Sequence, residues 1–338
     1  MRLAEGLRSM SAKFRNENGK LWLPLRLVWN GDERRPRAPI RLVVGIVLVL
    51  TFANTGRTIQ PSILAGGGPI TEVVNTLIGG VPQAAGIILG VILVALALDR
   101  RILTDLGLNF GSGVWRSFTG GLVLGFGITI LSIAVGAVVG FYGIGGIQMT
   151  GGPAVWILLV LGTAISQLVI VVAEEFLVRG YIITNVLEGL DGFPSIPRSV
   201  AAGVAVIIAS LFFYFTHSTR GEFFGLMAGG LAVLLGVAYV LSGDLAVPIG
   251  IHFGINFAGM IGGSAPQQAT LVQVISPTAV AESLVPPGEA VVIRLLGAAI
   301  GICLLLWWYH SVNGKIRIVP EVACPRLRWK RNSDPMTE

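Results

Sequence analysis

Residues 169–179 read Val169-Ile170-Val171-Val172-Ala173-Glu174-Glu175-Phe176-Leu177-Val178-Arg179, three charges within six residues of an otherwise apolar run. A charged side chain in the hydrocarbon of a bilayer costs about 2.5–3.5 kcal/mol on insertion scales. A spanning segment that keeps three must gain something from them. Glu175 and Arg179 are four apart, on one helical face and in the favourable Glu-before-Arg order. Pairing these two leaves Glu174 without an internal partner. An unpaired carboxylate in a low-dielectric site suits a general base. The plainer alternative is a salt bridge that only pins this helix.

The composition says what surrounds that stretch. Of 338 residues, 53% are hydrophobic and 12% charged, with mean hydropathy +0.78. Soluble domains carry about 25% charged residues, so this chain cannot hide its apolar surface in a core of its own. A soluble enzyme, a nucleic-acid binder and a disordered scaffold are excluded. The formal charge of +6 does not restore nucleic acid as a partner, because the basic residues gather near both ends. Apolar segments near the roughly 20 residues that a crossing needs recur near 38–56, 75–98, 118–141, 153–188, 199–217, 223–241, 246–263 and 291–310. They predict an all-α polytopic bundle of about eight transmembrane helices with an intramembrane polar site. The fourth segment is too long for one straight crossing and must tilt, kink or leave the hydrocarbon.

Five regions are expected: a basic amphipathic cytoplasmic segment over 1–39, three helices over 40–150, a four-helix core over 151–264, a loop and last helix over 265–310, and a basic cytoplasmic tail over 311–338. In the first, Arg2, Arg8, Lys13, Arg15, Lys20, Arg26, Arg34, Arg35 and Arg37 are interleaved with Leu21, Trp22, Leu23 and Trp29, a pattern that suits the anionic inner leaflet. An even number of spans and two basic ends place both termini in the cytoplasm. The expected location is the plasma membrane of a prokaryote, and the bilayer itself is the first partner. Small residues four apart, as in Gly86-x-x-x-Gly90, Gly121-x-x-x-Gly125 and Gly250-x-x-x-Gly254, predict close helix packing.

Other polar groups also fall within the spans. His217 ends Leu211-Phe212-Phe213-Tyr214-Phe215-Thr216, and Asn256 follows His252 by one helical turn, on the same face. Singly, such a histidine is more often a hydrogen-bonder between helices than a catalyst. Together Glu174, His217, His252 and Asn256 supply a base, a proton carrier and hydrogen-bond donors, the parts that amide hydrolysis needs. No His-Glu-x-x-His zinc helix is present, and Asp244 has no second buried aspartate with which to form a dyad. The two cysteines, Cys303 and Cys324, give neither a disulfide framework nor a metal spacing. Helix counting leaves one tension. Glu174 and His217 lie about 25 Å from the turn at 189–198, whereas His252 lies about 10 Å from the turn at 242–246, on the same side.

Glu174-Glu175-x-x-x-Arg179, then Phe213-x-x-x-His217, then His252-x-x-x-Asn256, resembles the motif set of the CPBP family, the CAAX-processing and bacteriocin-processing intramembrane proteases also called type II CAAX proteases or the Abi family. Asp99-Arg100-Arg101 with Asp105-Leu106-Gly107-Leu108 resembles a loop common in that family, and the core likeness covers roughly 155–262. The resemblance implies that Glu174 activates water together with His217, and that His252 and Asn256 stabilise the oxyanion. Glu175, Arg179 and Phe213 would support the site. It implies a peptide or protein substrate at the membrane. Two accounts of the chemistry stay open: a metal-free glutamate mechanism that needs no cofactor, and Zn2+ held by Glu174, His217 and His252. The first is preferred, because a Glu174 spent as ligand leaves no separate base. The alternatives to a protease are a non-catalytic scaffold or immunity protein of the same fold, and a proton-coupled transporter.

Overall fold

A computed structural model of the chain describes residues 27–58, 68–141, 143–149, 151–263, 270–275, 288–324 and 327. Most of the expected amphipathic segment, 1–26, and most of the basic tail lie outside the described residues. A short hairpin, β1 (Trp29–Asn30) and β2 (Arg35–Pro36), leads into α1 (Ala38–Thr58). Next come α2 (Pro69–Val94), which ends in a π-helical turn at Ala95–Asp99, and α3 (Val114–Val138). Strand β3 (Gly143–Ile147) precedes α4 (Pro153–Glu175), which runs on as a π-helix over Phe176–Ile183 and then as α5 (Thr184–Asp191). Then follow α6 (Arg198–His217), α7 (Glu222–Ser242), α8 (Ala246–Ile261), β4 (Gly262–Gly263), β5 (Val272–Ile275), α9 (Gly288–Asn313) and α10 (Pro320–Ala323).

Among the described residues, seven helical stretches are long and apolar enough to cross a membrane. The segment expected near 246–263 is the exception: α8 has 16 residues, and most of them are buried. The expectation that the fourth segment exceeds one straight crossing has a concrete form. Pro153–Asp191 is a 39-residue stretch, about 58 Å at 1.5 Å per residue against about 30 Å of hydrocarbon. Its irregular part is the π-helix directly after the two glutamates. Outward-facing Val43, Val47, Leu161, Ile165, Ile207 and Leu211 are each more than half exposed. Apolar side chains on outer helix faces have lipid as their solvent. The protein is therefore an integral, multi-pass, all-α membrane protein.

Small residues set the closest contact in the bundle. On α3, a Cβ at Gly121 would lie 3.0 Å from the Ile251 nitrogen; on α8, one at Gly254 would lie 2.7 Å from the Phe126 nitrogen. The two backbones interleave glycine against glycine, the packing that small residues four apart permit in lipid. Gly86 and Gly90 of α2 meet Phe52, Ala53 and Val49 of α1 in the same way.

One end of the bundle gathers the charges. Glu188 of α5 accepts from Arg35 at 2.6 Å, from Arg41 at 2.8 Å and from Arg101 at closer range. Asp99 takes Arg41 at 3.3 Å and the Asn185 amide at 2.7 Å. Arg35 was expected among solvated charges at the membrane surface, but it is fully buried here, because Glu188 and the Asp99 carbonyl draw it inward. Burial lowers the Arg35 guanidinium from its ordinary range. Burial opposes the charge of Arg101 as well, but the Glu188 and Asp99 carboxylates outweigh it and hold that group higher. Arg101 bridges to Leu327, and the Val319 nitrogen donates to the Val240 carbonyl at 3.0 Å. Both described ends of the chain thus meet at this end of the bundle.

Candidate active site

The helical rod of α4 and α5, together with α6 and α8, brings the polar residues together. Glu175 is fully buried, and its Oε1 accepts from Arg179 Nη1 at 2.8 Å and from His252 Nδ1 at 2.7 Å. Arg179 also donates to the Ala232 carbonyl of α7 at 3.2 Å. Because a carboxylate only accepts, His252 carries its proton on Nδ1 and turns Nε2 toward Glu174 Oε2, 3.7 Å away. His217 has the same arrangement. Its Nδ1 donates to the Phe213 carbonyl at 2.9 Å, and its Nε2 lies 3.9 Å from Glu174 Oε1. The Glu174 side chain is 24% exposed, the Glu175 side chain 0%.

Phe213 forms the wall between these groups. Its ring centre lies 4.1 Å from that of His217 and 5.8 Å from that of His252, with the Arg179 guanidinium 5.1 Å away over its face. Asn256, one turn beyond His252, donates its amide to Gln167 Oε1 at 3.4 Å. The structure therefore brings Glu174, Glu175, Arg179, Phe213, His217 and His252 into one cluster, with Asn256 on the adjoining turn of α8. Sequence reasoning overlooked Gln167, and also Phe224, whose ring stacks on His217 at 5.9 Å. Gln167 had a readable signal: an amide two helical turns before Glu174, inside the same apolar run.

Part of the tension in depth is removed because the turn after α7 is recessed. Tyr239 near the end of α7 meets Thr184 at 3.1 Å, and Thr184 stands seven residues, about 10 Å, before the end of α5. The 243–245 turn is covered by the segments around Gly107 and Val319: the Leu245 nitrogen donates to the Gly107 carbonyl at 2.9 Å. His252 stands fewer than two turns into the helix that follows, and its Nε2 lies 3.7 Å from Glu174 Oε2.

Among the described residues no group of three or more His, Cys, Asp or Glu side chains is placed to hold a metal ion. Ligands sharing one tetrahedral zinc at 2.0–2.1 Å lie about 3.3 Å apart, closer than the 3.7 and 3.9 Å gaps here. As arranged, the Nε2 atoms of His217 and His252 lie about half an ångström farther from the Glu174 oxygens than ligands of one zinc ion would.

No curated protein and no solved structure matches the chain. A family model, described as type II CAAX prenyl endopeptidase Rce1-like, matches residues 153–258, the span that runs from the start of α4 into α8 and contains every residue of the cluster. That segment is a domain of the Rce1-like type II CAAX prenyl endopeptidase family, consistent with the CPBP likeness that the three motifs carry.

Proposed function

We propose that the protein is an intramembrane endopeptidase that hydrolyses a peptide bond of a membrane-associated protein or peptide, with Glu174 as the base. One observation carries the reading. Both histidines commit Nδ1 to a fixed acceptor and leave Nε2 facing the same carboxylate, across gaps too long for a hydrogen bond and short enough for one bridging water. Glu174 removes a proton from that water, and the resulting hydroxide attacks the scissile carbonyl. His217, with a lone pair on Nε2, relays the proton onward to the leaving amine. His252, entering the cycle with a second proton taken from solvent, keeps Nδ1 on Glu175 and donates Nε2–H to the oxyanion, and the Asn256 amide donates beside it. Arg179 neutralises Glu175 and so keeps that carboxylate from competing as base.

The lysine and arginine bias of the sequence outside the spans supports cytoplasmic termini, and the plasma membrane of a prokaryote is the proposed location. Peptide or protein substrates are the partners. No step runs through a metal.

The test compares wild type, Glu174→Ala and Glu175→Ala in lipid nanodiscs, with a quenched-fluorescent peptide library as substrate and metal content measured by mass spectrometry. Cleavage by wild type, none by Glu174→Ala and no stoichiometric metal is the expected result. Loss of activity together with loss of zinc would move Glu174 into a ligand role. Ion-coupled flux without cleavage would replace the peptidase with a transporter.

A further inference from the structure

Asn256 carries an amide, which is an acceptor at one end and a donor at the other. Only the donor end helps an oxyanion; presented the other way round, its carbonyl oxygen would repel the developing charge. Nothing on α8 itself decides between the two orientations. Opposite Asn256 stands Gln167, seven residues before Glu174 on α4 and thus two helical turns away on the same face. The two helices run in opposite directions and present matching pairs: Glu174 and Glu175 opposite His252, Gln167 opposite Asn256. Asn256 Nδ2 donates to Gln167 Oε1 at 3.4 Å. That contact uses one of the two N–H groups and leaves the second to project from the same nitrogen.

We infer that Gln167 is a positioning residue: it accepts one Asn256 N–H and thereby locks the carboxamide with its other N–H available to the reaction. An amide in an apolar span is costly unless it finds a partner, and the pairing answers that cost for both side chains at once. The inference rests on the peptidase reading above.

Two variants separate an acceptor from mere bulk. Gln167→Met keeps the length of the side chain and removes the acceptor, freeing Asn256 to turn over. Its kcat should fall about tenfold with KM unchanged within about twofold, an effect of a misaimed donor. Gln167→Glu keeps an oxygen in place and should hold kcat within about threefold of wild type. In an Asn256→Ala background, Gln167→Met should cost nothing further, since residues acting as a unit are not additive. The measurements are steady-state cleavage in nanodiscs, with thermal unfolding of each variant as the control for folding. Wild-type kcat in Gln167→Met, a Gln167→Glu variant as impaired as Gln167→Met, or a full tenfold loss on top of Asn256→Ala would each overturn the role of Gln167. If Glu174→Gln still cleaves, Glu174 is not the base, and if the wild type cleaves nothing, the peptidase reading itself has failed, whatever Gln167 does.

Discussion

Two clusters of charge are buried in this apolar bundle, and they are built differently. At the end where both described termini meet, Arg35, Arg41 and Arg101 surround Glu188 and Asp99, and all three guanidiniums are almost completely buried. Their charges are paired at short range. In the other cluster, Glu175 is buried and held through one oxygen by Arg179 and His252 at 2.8 and 2.7 Å, while among the described residues Glu174 faces two histidine nitrogens at 3.7 and 3.9 Å and keeps a quarter of its surface open. A cluster that closes on itself holds helices together. Under the proposed function, a cluster left one partner short keeps a reactive group ready.

That contrast predicts opposite responses to losing a carboxylate. Glu174→Gln should lower kcat by about 10⁴-fold, the upper range for a general base, while thermal unfolding in nanodiscs stays at the wild-type temperature, because no close ion pair is lost. Glu188→Ala should do the reverse. It removes the carboxylate that three buried arginines share, a loss of about 3–5 kcal/mol, seen as a large drop in unfolding temperature and in the yield of folded protein. A folded, stable Glu188→Ala variant would break the comparison. Asn256→Ala should lower kcat by about 10²-fold with little change in KM, the effect of one oxyanion donor, measured by steady-state cleavage. The smallest effect belongs to Arg198→Ala. The Arg198–Asp191 pair at 3.0 Å is partly solvated, with side chains 40% and 20% exposed, and such pairs contribute about 0–1 kcal/mol. Its unfolding temperature should barely move, which sharpens the claim that burial makes the Glu188 cluster matter.

Much of the site could be read along single helices. Glu175 and Arg179 at a spacing of four do pair, and the glycines spaced by four on α3 and α8 do form a close helix contact. What could not be read was which residue faces which across helices. His252 binds Glu175 as well as facing Glu174, and Asn256 meets Gln167, a residue that drew no notice in its apolar run. Arg35 looked like a solvated basic residue because its partner, Glu188, lies 153 positions away. The seventh apolar segment, 246–263, looked like a span of ordinary length because nothing local marks where a turn sits relative to the membrane.

The sequence by itself determined that this chain lives in a bilayer, that it is helical, and that three motifs with charged or polar residues lie inside its spans. Periodicity and composition carry that information, since backbone hydrogen bonding in lipid leaves helices as the outcome for such segments. The tertiary structure alone decided the vertical offsets: a recessed turn before α8, a rod of 39 residues through α4 and α5, and the meeting of Glu174, His217 and His252 at one level. The reason is physical. Periodicity reports the direction of a side chain around its own helix axis, whereas the height of one helix against another is set by packing along their whole lengths and by the segments that cover their ends.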